Sequence, residues 1–151
     1  MTQKPKPPKK LPHEIIKAKA QNFRQHSRQR AKKLVLEHKI SEIPDAKQIE
    51  NWLLEKLDLT NPKKPVFYCA YTGDIVKLSE LEIDHINPIT QGGGFGFENL
   101  CITSKRINGI KGDMTCPAFM KLLELLNEML DHDKKSVMSR LYSGNRRFIG
   151  K

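Results

Sequence analysis

An aspartate and a histidine, Asp84 and His85, stand side by side where an apolar run ends before Pro88. His85 is the candidate general base, because an imidazole with a pKa near neutrality can accept a proton at physiological pH. Asp84 offers carboxylate oxygens and Asn108 an amide oxygen, and hard oxygen ligands favour Mg²⁺ or Mn²⁺. A proton acceptor beside an oxygen-ligated cation is suited to metal-assisted hydrolysis of a phosphodiester.

Two short strands are predicted to position these side chains. Leu81–Ile86 is strand-like, and Pro88 prevents the strand from continuing. Asn99, fourteen residues after His85, opens a second strand-like run that continues to residue 103. Because Asp84 and His85 would project to opposite faces of a regular strand, both serve one phosphate only if the strand bends at its end.

A short helix is predicted after the second strand. Ser104, Asn108 and Lys111 lie on one helical face at i, i+4 and i+7. Gly109 inside this helix costs about 1 kcal/mol relative to alanine, which fits either close backbone packing or a slack helix end. Three cations of the helix are predicted to lie near phosphates: Lys105, Arg106 and Lys111.

Four segments in this order resemble the HNH nucleases, a family of ββα-metal nucleases that cut nucleic-acid backbones. The segments are Cys69–Gly73, Asp84–Ile86, Asn99–Leu100 and Asn108–Asp113. The resemblance covers roughly Tyr68 to Asp113 and is greatest to the Asn-ending HNH domains, including those inside RNA-guided CRISPR effectors. As a small, free-standing HNH protein, the chain resembles phage-encoded or mobile-element nucleases.

This resemblance implies an α+β fold, a ββα-metal finger flanked by helices, to which the charge pattern adds a basic N-terminal helix. It implies a DNA endonuclease that leaves 5′-phosphate and 3′-hydroxyl ends, with His85 as catalytic base and Asp84 and Asn108 holding Mg²⁺ (or Mn²⁺). The counterpart of Asn99 in the family orients the catalytic loop and histidine. The third family position is often histidine, and Asn108 there favours Mg²⁺ over zinc or nickel.

The cysteines argue against a further metal site and against export. Many HNH proteins hold a structural zinc through two Cys-x-x-Cys pairs, but Thr72 stands where Cys69 would need its partner. We therefore expect no structural zinc. With Cys101 and Cys116 the total is three, and no signal peptide or membrane-spanning run is evident. We expect reduced thiols and a cytoplasmic protein without membrane association.

The net charge of +10 is concentrated at the N-terminus. Residues 1–40 contain 12 Lys or Arg and 2 Asp or Glu, whereas residues 41–151 contain 15 of each sign. A solvated charged helix is the alternative, but this segregation favours a helix that contacts phosphates of DNA, most simply double-stranded. Its predicted phosphate ligands are Arg24, Arg28, Arg30, Lys32 and Lys33.

Five segments follow from composition and breakers. They are a disordered basic tail (1–12), a basic helical arm (13–40), a helix and linker (41–65), the HNH nuclease core (66–114) and C-terminal helices (115–151). Asp45 and Gln48 have the spacing of a capping box that begins the second helix. Trp52 lies on the apolar face of that helix and is predicted to be a core anchor.

Three features leave alternatives open. The apolar face Phe119–Leu130 is either core or a docking surface for a protein partner. The glycine-rich loop 90–97 is a flexible connector, with Phe95 wedging between bases as a lesser option. Two other functions remain: a catalytically silent nucleic-acid-binding accessory protein, and a nuclease subunit of a larger complex.

Overall fold

A computed structural model describes the backbone of residues 11–149 and the side chains of residues 11–144. Its helices and strands are α1 (Pro12–Lys33), α2 (Ala46–Glu55), β1 (Val66–Tyr68), β2 (Ile75–Lys77), β3 (Leu81–His85), β4 (Leu100–Ser104), α3 (Lys105–Lys111), α4 (Cys116–Asn127) and α5 (Asp131–Ile149). The predicted α+β class is confirmed. Residues 1–10 of the predicted tail lie outside the described residues. Among those described, no helix has the length and apolarity to cross a membrane.

The basic N-terminal helix ends at Lys33, earlier than the predicted residue 40. Val35 follows with a φ of 56°, a left-handed conformation, and Glu37–Glu42 form a short 3₁₀ helix. The buried face of α1 consists of Ile16, Ala20, Ser27 and Ala31. Because this face is buried, α1 packs against the rest of the protein instead of extending as a free arm.

The second helix begins as its capping box predicts. The Asp45 carboxylate accepts a hydrogen bond from the Gln48 N–H at 2.8 Å, and the Gln48 side chain accepts one from the Asp45 N–H at 2.9 Å. Trp52 is half-buried and packs on Phe97, with ring centroids 5.9 Å apart. The predicted anchoring role of Trp52 is consistent with this packing.

The described residues form two antiparallel strand pairs. β1 pairs with β2, and β3 pairs with β4 in a register that sets Asp84 opposite Cys101. The turn after β1 is tied to β4, because the Ala70 N–H donates to the Ile102 carbonyl at 2.8 Å. Since α3 follows β4 directly, β3, β4 and α3 form a ββα unit.

Buried side chains form two clusters. The larger one joins α1, α2, both strand pairs, α3 and α4. The smaller cluster consists of Ala31, Ile43, Ile89 and Phe95, where α1 meets the glycine-rich loop. Phe95 is only 1% exposed, so in this structure it is a core residue and does not present its ring to bases, the lesser option that the sequence left open.

The apolar face of α4 is largely part of the protein's own core. Phe119 and Leu126 are 0% and 2% exposed, so they are not available to a protein partner, and the predicted docking face is wrong at these residues. Burying them within the chain removes apolar surface from water. Met129 and Leu130, at the end of the predicted face, are exposed.

Close packing of α3 and α5 explains the glycine in α3. A Cβ added at Gly109 would lie 2.5 Å from the ring of Tyr142 on α5. Of the two interpretations left open by the sequence, the structure therefore supports close packing over a slack helix end.

Candidate active site

Asp84 lies near the end of β3 with its side chain turned into the protein. One carboxylate oxygen, Oδ2, accepts a hydrogen bond from the Tyr71 hydroxyl at 2.7 Å and lies 2.9 Å from the Lys111 ammonium. The side chain of Asp84 is 11% exposed and that of Lys111 is 0% exposed. The carboxylate is therefore held by two donors on the same oxygen.

Lys111, at the end of α3, is an internal cation. Its ammonium donates to the His85 carbonyl at 3.0 Å as well as pairing with Asp84. Helical spacing predicted a phosphate contact for Lys111, and that expectation does not agree with its buried position. A nearly buried carboxylate needs a compensating charge, and Lys111 provides it.

His85 is enclosed by two aromatic rings. Its ring centroid lies 5.4 Å from that of Phe23 on α1 and 5.7 Å from that of Phe95 in the glycine-rich loop. The residue is 8% exposed, and its Nε2 is buried without a hydrogen-bond partner among the described residues. In this arrangement Nε2 is not accessible to water or a phosphate.

Burial makes His85 a weaker base than the sequence predicts. Desolvation, followed by the positive charges of Arg30 and Lys111, lowers the pKa of His85 to about 4. The imidazole is therefore neutral at pH 7 and retains a lone pair that can accept a proton.

Asp84 and His85 have different neighbours. The Asp84 carboxylate contacts Tyr71 and α3, whereas the His85 ring contacts α1 and the glycine-rich loop. This difference is expected for consecutive residues of a strand. Lys111 links the two residues, because it binds the carboxylate of one and the carbonyl of the other.

Asn99 ties the loop that follows His85 to the start of β4. Its Oδ1 accepts from the Asn87 N–H at 2.8 Å, and its Nδ2 donates to the carbonyls of Asn87 and Gly94 at 2.9 and 2.8 Å. Gly93 lies so close to the Asn87 carbonyl that a Cβ there would collide with it. Asn99 therefore occupies a positioning place beside His85, in line with the loop-orienting role that the resemblance implies.

The start of α3 is fixed by Ser104, whose hydroxyl accepts from the Ile107 N–H at 3.2 Å. Asn108 is half-buried on this helix. It lies three residues before Lys111, so the two are neighbours on the helix surface. Lys105 and Arg106, in the first turn, are exposed.

The oxygen donors of Asp84 and Asn108 suit a hard divalent cation better than zinc. The described residues contain no cluster of three or more His, Cys, Asp or Glu side chains. Asp84 and Asn108 offer one carboxylate and one amide, and Mg²⁺ often binds through one or two carboxylates together with substrate phosphates and water. The residues present therefore fit Mg²⁺ or Mn²⁺ by donor type.

Comparison with known proteins agrees with this geometry. Residues 69–116 match the HNH endonuclease family. This segment is an HNH-family domain. No curated protein and no solved structure matches the chain. The match covers the ββα unit, the turn that carries Tyr71 and all four predicted catalytic and metal-binding residues of the HNH domain.

Next to the HNH domain, α1 presents cations on a different face from Phe23. Arg24, Arg28 and Lys32 line an open groove of about 510 Å³ between α1 and the start of α2. A second groove of about 280 Å³ continues it and is lined by Lys17 and, from α2, Lys47. The Nε of Arg24 is buried without a hydrogen-bond partner among the described residues.

The predicted phosphate ligands on α1 do not share one face. Arg30 donates to Asp113 at 3.1 Å and so holds α1 against the end of α3. Lys33 is exposed but is not among the residues that line either groove. Neither composition nor spacing indicated Tyr71 or Phe23 as neighbours of Asp84 and His85, or Lys47 as a cation of the second groove. Only the motif Cys69–Gly73 gave a signal for Tyr71, and it did not indicate a role.

Proposed function

We propose that the HNH domain is a metal-dependent endonuclease that hydrolyses phosphodiester bonds of DNA. One observation supports this most directly. The ββα unit within the family match joins the Asp84–His85 end of β3 to α3 through the buried ammonium of Lys111. An acid, an imidazole and the helix that contains Asn108 therefore meet at one end of the unit.

His85 acts as the general base, accepting a proton from the attacking water at Nε2 after the aromatic cover has moved. The imidazole is neutral at pH 7, and movement of the cover would remove the desolvation that is the main cause of its lowered pKa. Asp84 and Asn108 would hold the divalent cation, which would supply Lewis-acid chemistry when bound. Asn99 positions the loop beside His85 through its hydrogen bonds to Asn87 and Gly94.

Two sets of cations bind the phosphates of the DNA. The groove on α1 supplies Arg24, Arg28 and Lys32. Lys105 and Arg106 are exposed in the first turn of α3, the helix that also carries Asn108. Arg30 and Lys33 remain candidates at the edge, because an exposed ion pair such as Arg30–Asp113 contributes little and exchanges readily for a phosphate.

One observation favours a second candidate, a catalytically silent nucleic-acid-binding protein. The His85 Nε2 is covered, and the Lys111 ammonium already neutralises Asp84. A silent protein would retain the basic groove and bind DNA without cutting it.

The test is cleavage of supercoiled plasmid with Mg²⁺, with EDTA as the metal control. His85→Ala should lower the cleavage rate by about 10²–10⁴-fold, the usual contribution of a general base. His132→Ala is the matched control, because that side chain is 94% exposed on α5. Undiminished cleavage by His85→Ala contradicts the assignment of the base. DNA binding without any metal-dependent cleavage supports the silent protein instead.

A further inference from the structure

The turn after β1 contains a buried hydroxyl that the proposed reaction does not use. Tyr71 is 9% exposed, and its hydroxyl donates to Asp84 Oδ2 at 2.7 Å. Burial, together with hydrogen bonding to Cys101 and Asp84, raises the pKa of Tyr71, so the hydroxyl remains a donor. Asp84 and Cys101 are cross-strand partners, and the hydroxyl of Tyr71 therefore approaches β3 and β4 together.

The ring of Tyr71 is fixed from several directions. It packs edge-on against Phe119 of α4 at a centroid distance of 5.2 Å. Its turn is closed by the Gly73 N–H, which donates to the Cys69 carbonyl at 2.8 Å, and is bound to β4 through Ala70. Because ring and backbone are both held, the direction of the hydroxyl is set by the fold and not by Asp84 alone.

The two donors to Asp84 converge on one oxygen. Tyr71 and Lys111 both bind Oδ2, at 2.7 and 2.9 Å. A carboxylate that accepts two bonds on one oxygen from two separate elements has a fixed plane. Its second oxygen, Oδ1, is then presented in a defined direction.

We propose that Tyr71 is a positioning residue for the metal ligand: its hydroxyl fixes Asp84 so that Oδ1 is presented to the divalent cation. The inference rests on the proposed function, because it takes Asp84 as that ligand. Hydrogen bonds from a second residue to a metal ligand set its orientation, and their loss costs about 10- to 100-fold in metal affinity. The charged ammonium of Lys111 and the neutral hydroxyl of Tyr71 both contact Asp84 Oδ2, so Tyr71 orients the carboxylate without adding charge to the site.

The chain offers a matched pair of variants. Tyr71→Phe removes only the hydroxyl and keeps the ring on Phe119. Tyr68→Phe removes a similar bond outside the site, since the half-exposed Tyr68 donates to Asp58 Oδ2 at 2.8 Å. Binding of Mn²⁺ alone to the full chain, measured by electron paramagnetic resonance, should weaken about 10- to 100-fold in Tyr71→Phe and stay unchanged in Tyr68→Phe.

A second measurement separates positioning from general damage. In plasmid cleavage, Tyr71→Phe should need a correspondingly higher Mn²⁺ concentration for half-maximal rate, while the rate at saturating Mn²⁺ stays within about threefold of the parent protein. Two results would overturn the positioning role and leave the proposed function standing. One is an unchanged Mn²⁺ affinity in Tyr71→Phe, and the other is a lower rate at saturating Mn²⁺ with an unchanged dependence on metal concentration. If the parent protein and Asp84→Asn bind Mn²⁺ equally, the proposed metal site fails, and this inference fails with it.

Discussion

The ring of Phe23 lies 5.4 Å from the ring of His85, so the most basic helix of the protein covers the proposed general base. Phe95 encloses the same imidazole from the glycine-rich loop. Helix α1 is bound to the HNH domain through the buried Ile16 and Ala20 and through two ion pairs that are exposed or half-exposed, Lys19–Glu82 and Arg30–Asp113. Access to His85 therefore depends on how firmly α1 stays in place.

Replacing Phe23 with alanine should open His85 to solvent. We expect diethyl pyrocarbonate to modify His85 faster in Phe23→Ala than in the parent protein, as measured by peptide mass spectrometry. Phe97→Ala is the control, because Phe97 packs on Trp52. Equal modification rates in the parent protein and Phe23→Ala would show that this ring does not limit access.

The buried imidazole should make the fold sensitive to acid. The pKa of His85 is about 4 in the folded protein and about 6.5 in the unfolded chain, so below pH 6.5 the unfolded chain binds more protons. Stability from this residue is complete above pH 6.5 and is lost as pH falls toward 4. Between pH 7 and pH 4 the loss is about 3 kcal/mol.

The measurement is urea unfolding at both pH values for the parent protein, His85→Gln and His26→Gln. A glutamine side chain cannot be protonated in this range, so the parent protein should lose about 3 kcal/mol more than His85→Gln between the two pH values. His26 is exposed, and His26→Gln should follow the parent protein. Parallel pH profiles for the parent protein and His85→Gln would contradict the lowered pKa.

The sequence predicted the strands and the helix around the site better than the side-chain contacts within it. Strand periodicity and Pro88 correctly predicted β3, and the spacing of Ser104, Asn108 and Lys111 correctly predicted one helix. Side-chain spacing cannot distinguish a lysine that faces solvent from one that faces a buried acid. The position of Lys111 is therefore a tertiary property, because it depends on the packing of α3 against β3.

The cover over His85 was also beyond the sequence pattern. The charges of α1 dominate its composition, and its weak apolar stripe gave no indication of which element it would contact. Phe23 reaches His85 only because Ile16 and Ala20 pack into the main cluster and fix the rotation of α1. Phe95 likewise reaches His85 from a loop whose glycines predicted flexibility.

Lys111→Met should be strongly destabilising, because it leaves the Asp84 carboxylate almost buried without its counter-charge. The expected loss is about 3–5 kcal/mol in the free energy of unfolding. In Asp84→Asn/Lys111→Met neither charge remains, so the double variant should be more stable than Lys111→Met alone. Denaturant unfolding of the parent protein, the two single variants and the double variant gives the coupling energy.

Lys19→Met is the matched control, because Lys19 and Glu82 form an ion pair whose side chains are 31% and 33% exposed. That variant should cost no more than about 1 kcal/mol. A Lys111→Met loss as small as that of Lys19→Met would mean that the buried pair contributes nothing special to the fold.

The effect of Gly109→Ala on stability should change sign when the neighbouring Tyr142 is replaced. In the parent protein the new methyl group meets the Tyr142 ring, and overpacking of this kind costs about 1–3 kcal/mol. In a Tyr142→Ala background the ring is gone, and the helix propensity of alanine should instead stabilise the protein by about 1 kcal/mol. Thermal unfolding of the four proteins checks this, and a loss of equal size in both backgrounds would exclude the ring as the cause.

The groove on α1 should determine how strongly DNA binding depends on salt. Deleting residues 1–40 is not a clean test, because Ile16 and Ala20 belong to the core. Substituting only the groove cations avoids this difficulty. If Arg24, Arg28 and Lys32 each neutralise one phosphate, the triple alanine variant should reduce the slope of log K against log salt by about 2.7.

Fluorescence anisotropy with a DNA duplex in EDTA measures this slope without cleavage. The control removes three exposed lysines that line neither groove, Lys63, Lys64 and Lys77, for the same change in net charge. If DNA is attracted only by the total positive charge of the protein, both triple variants should lower the slope equally, because they remove the same number of charges. A fall in the slope confined to the Arg24, Arg28 and Lys32 variant would identify the groove as the surface that contacts phosphates.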